Sequence, residues 1–113
     1  MPYVAVKTNV SVDAPAAEAV KKGLGRAITS FSGKSERWLM CSVEGDVSMS
    51  FQGDPSPCAF VEAEVLGGLD RGECEVFCEK VCALLTGEIG IPKDRIYVRF
   101  SPTENWGWNG GLF

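Results

Sequence analysis

The residue in this chain best suited to acid–base chemistry is the proline at position 2. Its small side chain favours removal of Met1, and that removal leaves a secondary amine at the chain terminus. An ordinary α-amino group has a pKa of about 8. Burial in an apolar pocket and a nearby cation both lower that pKa and so favour the free base. Pro2 is therefore a candidate general base; the alternative is a terminus that has merely been processed.

Other side chains could surround a ligand. Lys34 directly follows Gly33 and supplies a cation, unless it is only a solvated lysine at the C-terminal end of a helix dipole. Tyr97 and Arg99 share one face of a predicted strand. They could meet an anionic aromatic ligand, or they could pack and form an ion pair in a subunit interface. Four aromatic residues could wall a pocket or pack in the core: Trp38, Trp106, Trp108 and Phe113.

Several familiar chemistries are excluded by residue type. The chain has no histidine, so the commonest metal ligand and general base is absent. Cys74, Cys78 and Cys82 recur every four residues, which places them on one side of a helix, and we interpret them as buried apolar residues. Cys41 and Cys58 are also interpreted as small core residues. We therefore expect no metal and no cofactor.

The bulk properties restrict location and partners. A chain of 113 residues is expected to form a single domain over residues 1–113. Its net charge of −4 and its intermixed charges argue against nucleic acid or an anionic membrane as a partner. No signal peptide and no apolar run long enough to cross a membrane is found. With five cysteines in no disulfide pattern, reduced thiols in the cytoplasm are the simplest expectation.

Two halves of the chain show the same order of elements. In the first half, residues 3–8 predict a strand. Asp13 then caps a helix that ends near Gly33, with an apolar stripe formed by Val20, Leu24, Ala27, Ile28 and Phe31. Residues 38–44 predict a second strand, and residues 47–51 predict a weaker one. Residues 53–57 form a turn-rich divider.

In the second half, residues 58–66 predict a strand, and Asp70 with Glu73 forms a capping box. The next helix carries Cys74, Phe77, Val81, Leu84 and Leu85, and it is expected to stop at Gly87, Gly90 and Pro92. Residues 95–101 predict a further strand, and residues 106–113 predict a glycine-rich tail with a short strand.

This order predicts an α/β (α+β) fold: two βαβ units form a four-stranded mixed sheet with both helices on one face. Alternation in the strands assigns Ala59, Val61, Ala63 and Val65 to the helix side. The other face carries Cys58, Phe60, Glu62, Glu64 and Leu66, together with Tyr97, Arg99, Trp38, Met40 and Ser42. A face that mixes large apolar groups with charges predicts a subunit interface or a binding site, and hence an oligomer.

The chain resembles the macrophage migration inhibitory factor and D-dopachrome tautomerase family of the tautomerase superfamily. The resemblance covers nearly the whole chain and rests on the order and spacing of eight segments: Met1-Pro2, Thr8-Asn9-Val10, Gly33-Lys34, Met49-Ser50-Phe51-x-Gly53, Pro57-Cys58-Ala59, Leu66-Gly67-Gly68-Leu69, Asp94-Arg95-Ile96-Tyr97-Val98 and Gly107-Trp108-Asn109-Gly110.

The resemblance implies a homotrimer with active sites between subunits, and a keto–enol tautomerase acting on small aromatic 2-keto acids such as phenylpyruvate. It implies that Pro2 is the general base and that Lys34 binds the substrate carboxylate and lowers the pKa of the amine. The pocket would be lined by Leu66, Trp108 and the neighbouring subunit's Tyr97, and Trp38 is also expected there. Arg99 would assist Lys34. Phe113 belongs to the same aromatic wall.

The chain departs from the family pattern at four places, and the first of these bears on specificity. Arg99 stands where the best-known member has asparagine, and this change would favour more anionic ligands. Ser35 replaces the usual proline after Lys34. The second cysteine of a disputed redox motif is absent. The tail Gly111-Leu112-Phe113 lacks the usual small hydroxyl residue. The alternative function is a secreted cytokine-like protein that binds a cell-surface receptor, exported without a signal peptide. A trimeric scaffold without activity is a third reading.

Overall fold

A four-stranded sheet forms the centre of the computed structural model, which describes residues 1–113. The strands are β1 (Pro2–Thr8), β2 (Met40–Glu44), β3 (Ala59–Leu66) and β4 (Ile96–Thr103), in the spatial order β2-β1-β3-β4. β1 pairs in parallel with β2, and β3 pairs in parallel with β4, whereas β1 and β3 are antiparallel. The predicted mixed sheet built from two strand–helix–strand units is confirmed.

One helix follows the first strand of each unit. α1 (Ala14–Ala27) begins after Asp13, whose carboxylate accepts the Ala16 N–H at 2.9 Å, and a 3-10 turn (Ile28–Ser30) extends it. α2 (Arg71–Ile89) begins after Asp70, whose carboxylate accepts the Glu73 N–H at 3.0 Å. α2 continues through Gly87, contrary to the prediction, and ends at Gly90, whose φ of 72° favours glycine. Neither helix has the length and apolar character required to cross a membrane.

The core lies between the helices and one face of the sheet. Its buried side chains confirm the predicted stripes and strand alternation: Val4, Val6, Val20, Leu24, Ala27, Ile28, Phe31, Ala59, Val61, Ala63, Phe77, Val81, Leu85, Ile91 and Ile96. Phe77 is fully buried and packs against the rings of Phe31 and Phe100, with centroids 5.0 and 5.9 Å away. Aromatic contacts of this kind bury large apolar area in a fixed geometry.

Two glycines in the middle of α1 are explained by close approach of other groups. A Cβ on Gly23 would overlap the Leu84 side chain of α2, and a Cβ on Gly25 would overlap the carboxylate of Glu36. Glycine weakens a helix by about 1 kcal/mol relative to alanine. Leu84 packs against the core through the notch at Gly23, and this packing offsets part of that cost.

Three further predictions about local structure were wrong. Residues 47–51 form no strand; only an isolated bridge between Phe51 and Asp54 lies there. The strand predicted over 38–44 begins at Met40, because residues 36–38 form a 3-10 turn (Glu36–Trp38). Cys58 lies on the buried side rather than on the open face, since it precedes β3 and its backbone bonds to Asn9 and Thr8. Its interpretation as a small core residue is confirmed.

The tail forms a small hairpin of β5 (Gly107–Trp108) and β6 (Gly111–Leu112).

The four remaining cysteines are half-buried rather than buried, and all five are unpaired. Burial and the neighbouring Cys78 raise the pKa of the Cys82 thiol to about 11, which keeps it protonated and a poor nucleophile at neutral pH.

Candidate active site

The start of the chain lies at the end of the sheet where β3 and β4 finish. Pro2 opens β1 and is paired with Val65, which is itself paired with Pro102. The Met1 carbonyl accepts the Leu66 N–H at 2.9 Å, so the terminus is fixed along the end of β3. The Pro2 ring is buried. These contacts give the N-terminal residues a defined position instead of a frayed one.

Lys34 reaches the same place from the loop after α1. Gly33 has a φ of 76°, and the turn closes with the Lys34 N–H donating to the Phe31 carbonyl at 3.1 Å. The half-buried Lys34 side chain then donates from Nζ to the Leu66 carbonyl at 2.8 Å. The backbone of Leu66 therefore bonds both Met1 and Lys34, which places the lysine beside the chain terminus.

The terminal amine is perturbed in the direction that favours a base. Partial burial, followed by the adjacent Lys34 ammonium, holds the pKa of the Met1 α-amino group below its ordinary value. Both effects act because they disfavour the charged form of the amine. In this structure the terminal group belongs to Met1, which stands between Lys34 and the buried Pro2.

A cavity of about 430 Å³ opens beside Pro2. It is lined by Pro2, Tyr3, Trp38, Met40, Glu64, Trp106, Gly107 and Trp108. Lys34 and Leu66 are absent from this lining, and both are in contact with Met1 instead. Of the predicted site residues, Pro2, Trp38 and Trp108 line this one cavity, whereas Lys34 and Leu66 do not.

The predicted aromatic wall is a contiguous cluster. Trp38 and Trp108 meet edge to face with centroids 5.2 Å apart, and Phe113 stacks on Trp108 at 5.7 Å. The hairpin of β5 and β6 and the bond from the Phe113 N–H to the Trp106 carbonyl (3.1 Å) hold the C-terminal residue there. Trp38 and Trp108 are 39% and 54% exposed, so these rings form a wall and not part of the core.

Tyr97 and Arg99 are not brought to Pro2 within one chain. Pro102 is level with Val65 and Pro2, and Tyr97 and Arg99 precede it by five and three residues. At about 3.3 Å per residue, they lie roughly 16 and 10 Å away along β4. Tyr97 packs against the Phe51 ring, with centroids 4.9 Å apart. Both side chains are exposed on the open face of the sheet, so they can approach such a cavity only in another copy of the chain.

Arg99 lies beside Glu62 in the parallel register of β3 and β4. The two do not form an ion pair, since the ion pairs of this structure are Lys21–Glu18 on α1 and Arg71–Glu75 on α2. The Arg99 charge is therefore unneutralised by a contact within this chain.

Tyr3 was not predicted to belong to the site, and Met40 and Glu64 were assigned only to the open face of the sheet. Tyr3 is the register partner of both Met40 on β2 and Glu64 on β3, so the three lie side by side across the sheet. The signal that identifies them is the strand register: once Pro2 is placed opposite Val65, the residue after it must face Glu64.

Comparison with known proteins places this architecture in a family. The whole chain, residues 1–113, matches the family described as Macrophage migration inhibitory factor (MIF). The protein belongs to the MIF family.

Individual relatives agree with this assignment. The chain is similar to the macrophage migration inhibitory factor homolog of Brugia malayi, with 30% identity over 115 residues that cover 100% of this chain and 99% of the relative. It is also similar to D-dopachrome decarboxylase-B of Xenopus laevis, with 30% identity over 113 residues, 97% of this chain and 95% of the relative.

Solved structures of MIF proteins match the fold closely. The crystal structure of Leishmania major MIF2 has a TM-score of 0.94 and 31% identity, and the match covers 100% of this chain and 97% of that one. The MIF homologue of Prochlorococcus marinus has a TM-score of 0.88 and 33% identity, with 98% of each chain covered. The predicted fold and the predicted family are both confirmed.

Proposed function

We propose that this MIF-family protein is a keto–enol tautomerase acting on aromatic 2-keto acids such as phenylpyruvate, and that the amine of Pro2, freed by removal of Met1, is its general base. One observation carries the proposal: the chain terminus lies at an aromatic cavity, fixed through Leu66 to the Lys34 ammonium. Loss of Met1 would open the cavity toward Lys34 and Leu66 and leave the secondary amine at its wall.

The proposed reaction is a proton shuttle. The Pro2 nitrogen takes the proton from C3 of the keto acid, the C–H electron pair becomes the C2=C3 double bond, and the carbonyl oxygen becomes an enolate. The proton then passes to that oxygen and gives the enol, so no atom or electron is left over. General acid–base transfer of this kind contributes about 10²–10⁴-fold. The chemistry calls for neither a metal nor a cofactor.

Other residues would bind the substrate. Lys34 would hold the carboxylate and steady the developing enolate charge. Trp38, Trp108 and Phe113 would hold the aromatic ring, and the Leu66 side chain would complete the wall near Lys34.

We further propose that the protein is a homotrimer, in which Tyr97 and Arg99 of a neighbouring copy complete the site. The open sheet face supports this assembly, because it leaves Met40 and Tyr97 exposed at 69% and 59%. A cytoplasmic location is also proposed, since five unpaired cysteines suit a reducing compartment.

The decisive experiment measures phenylpyruvate tautomerisation by protein whose Met1 removal has been verified by mass spectrometry. Three samples are compared: the processed protein, the Pro2→Gly variant, and a variant with one residue inserted before Pro2. We expect activity only in the first, because the other two lack the positioned secondary amine. Equal activity in the inserted variant would contradict the proposal.

A second candidate function is a secreted cytokine-like protein that acts by binding a cell-surface receptor. It is favoured by the relatives that bear the name macrophage migration inhibitory factor. If the processed protein is inert and the Pro2→Gly variant still binds such a receptor, this function takes precedence.

A further inference from the structure

Arg95, just before β4, is bonded to the main chain of another segment and forms no ion pair. The ion pairs of the structure lie on α1 and α2. The half-buried Arg95 guanidinium instead donates, at 2.9 to 3.3 Å, to four carbonyls between residues 51 and 57: those of Phe51, Asp54, Ser56 and Pro57. The planar fork of an arginine therefore fixes the course of this segment against the start of β4.

The segment 51–57 is also held from its other side and from within. The Asn9 amide, directly after β1, donates to two consecutive carbonyls of the segment at 2.9 and 3.1 Å. Phe51 and Asp54 exchange N–H···O bonds of 3.0 and 3.1 Å across a tight turn. These bonds give the backbone that carries the Phe51 ring a fixed position.

The anchored segment places the Phe51 ring against Tyr97. The two rings meet edge to face, with centroids 4.9 Å apart and planes at 78°. The Arg95 guanidinium also lies 5.3 Å from the centroid of the Phe51 ring, so it contacts the ring as well as the backbone. Tyr97 is exposed on the open face of the sheet, and this edge-to-face contact restrains the direction in which its side chain points.

Four of the eight segments that carry the family resemblance meet in this cluster, namely those that contain Asn9, Phe51, Pro57 and Arg95. None of these four residues has a role in the proposed reaction. Tyr97, which the cluster holds, does have one.

We propose that Arg95 is a positioning residue of the active site, which acts through Phe51 to hold the Tyr97 ring ready for substrate. This inference rests on the proposed function, in which Tyr97 completes the site of a neighbouring copy. Immobilising one flexible side chain on binding corresponds to about 2- to 12-fold in affinity. A Tyr97 ring that is already ordered removes this cost from substrate binding.

The first arm of the test measures steady-state kinetics with phenylpyruvate. Arg95→Met removes the hydrogen-bond donors, and Phe51→Leu removes the ring while leaving Arg95 in place. We expect each change to raise KM about fivefold and to alter kcat less than about twofold, because Pro2 and Lys34 carry the chemistry. Phe51→Tyr keeps the ring and should keep the original KM. Lys93→Met is the charge-matched control, because Lys93 is exposed two residues before Arg95.

A double-mutant cycle separates positioning from a merely structural role. In the Tyr97→Ala background, Arg95→Met should change KM by less than about twofold, because the ring on which Arg95 acts is absent. If Arg95→Met does not fold, the cycle is run with Phe51→Leu. Losses that multiply in full would overturn the proposal, and so would a KM that neither single variant changes.

The second arm is independent of catalysis, so it separates failure of this inference from failure of the tautomerase proposal. The chain has two tyrosines, and labelling with 3-fluorotyrosine therefore gives one fluorine resonance for Tyr3 and one for Tyr97, assigned with Tyr3→Phe. We expect Arg95→Met to shift the Tyr97 resonance alone, and Lys93→Met to shift neither. If the Tyr97 resonance shifts while phenylpyruvate is not converted, the tautomerase proposal fails and the positioning of the ring stands. If it does not shift, the positioning role is refuted whatever the activity.

Discussion

Replacing Lys34 by methionine tests the link between the loop after α1 and the chain terminus. Methionine keeps most of the length of the side chain and removes the ammonium that donates to the Leu66 carbonyl at 2.8 Å. Under the proposed mechanism the same ammonium binds the substrate carboxylate. A hydrogen bond to a charged group contributes about 1.5–3 kcal/mol. Its loss should therefore raise KM for phenylpyruvate by about 10- to 150-fold.

The same variant should change the pH dependence. Burial and the Lys34 charge lower the pKa of the Met1 amine in the unprocessed chain. Under the proposed mechanism the same two causes lower the pKa of the Pro2 amine once Met1 is removed, and the reaction requires its free base. Activity is thus gained as the pH rises through that lowered pKa. Without the lysine charge the pKa moves back up toward its ordinary value, so the acidic limb of kcat/KM should shift to higher pH. Lys34→Arg, which keeps a cation, should shift the limb less.

Steady-state kinetics over a range of pH give both quantities in one assay. Lys22→Met is the control, because it removes a lysine that is exposed on α1. An unchanged KM together with an unchanged acidic limb in Lys34→Met would refute the assigned role of Lys34 and the reading of the terminal amine as a perturbed base.

Two further predictions concern specificity and stability. Arg99→Ala should lower kcat/KM for dicarboxylic keto acids by more than about fivefold and should lower kcat/KM for phenylpyruvate less, because the Arg99 charge has no ion-pair partner in the chain. Both substrates are measured side by side, and equal losses would argue against this role. Asp70→Ala should lower the free energy of unfolding by about 1 kcal/mol, because the Glu73 N–H at the start of α2 loses its acceptor. Urea unfolding measures this loss, and the control variant Asp70→Asn should retain most of the stability that Asp70 provides.

The parts of the fold that were predictable are those in which one pattern decides the outcome. The alternation of Ala59, Val61, Ala63 and Val65 determined the buried face of β3, and Asp13 and Asp70 marked both helix starts. Gly87 failed as a stop signal because an isolated glycine only weakens a helix, whereas the left-handed backbone at Gly90 ends it.

The site was only partly predictable. Residue type made Pro2 and Lys34 candidates, because amines and ammonium groups have definite chemistry, and the resemblance to the family implied their roles. Glu64 and Met40 depend on the register of three strands, and that register follows from pairings between distant segments. The positions of Tyr97 and Arg99 relative to any cavity depend on a second copy of the chain, which no local pattern specifies.

Gly25 on α1 does not line the cavity beside Pro2, but it contacts the turn that carries Trp38. Glu36 places its carboxylate where a Cβ at Gly25 would lie, and Glu36 opens the short turn that ends with Trp38. A side chain at position 25 would make the exposed Glu36 carboxylate swing away from α1, so it would change the surroundings of the turn that carries Trp38. Position 25 therefore offers libraries an indirect route to that turn, through the Glu36 side chain, in addition to the residues that line the cavity.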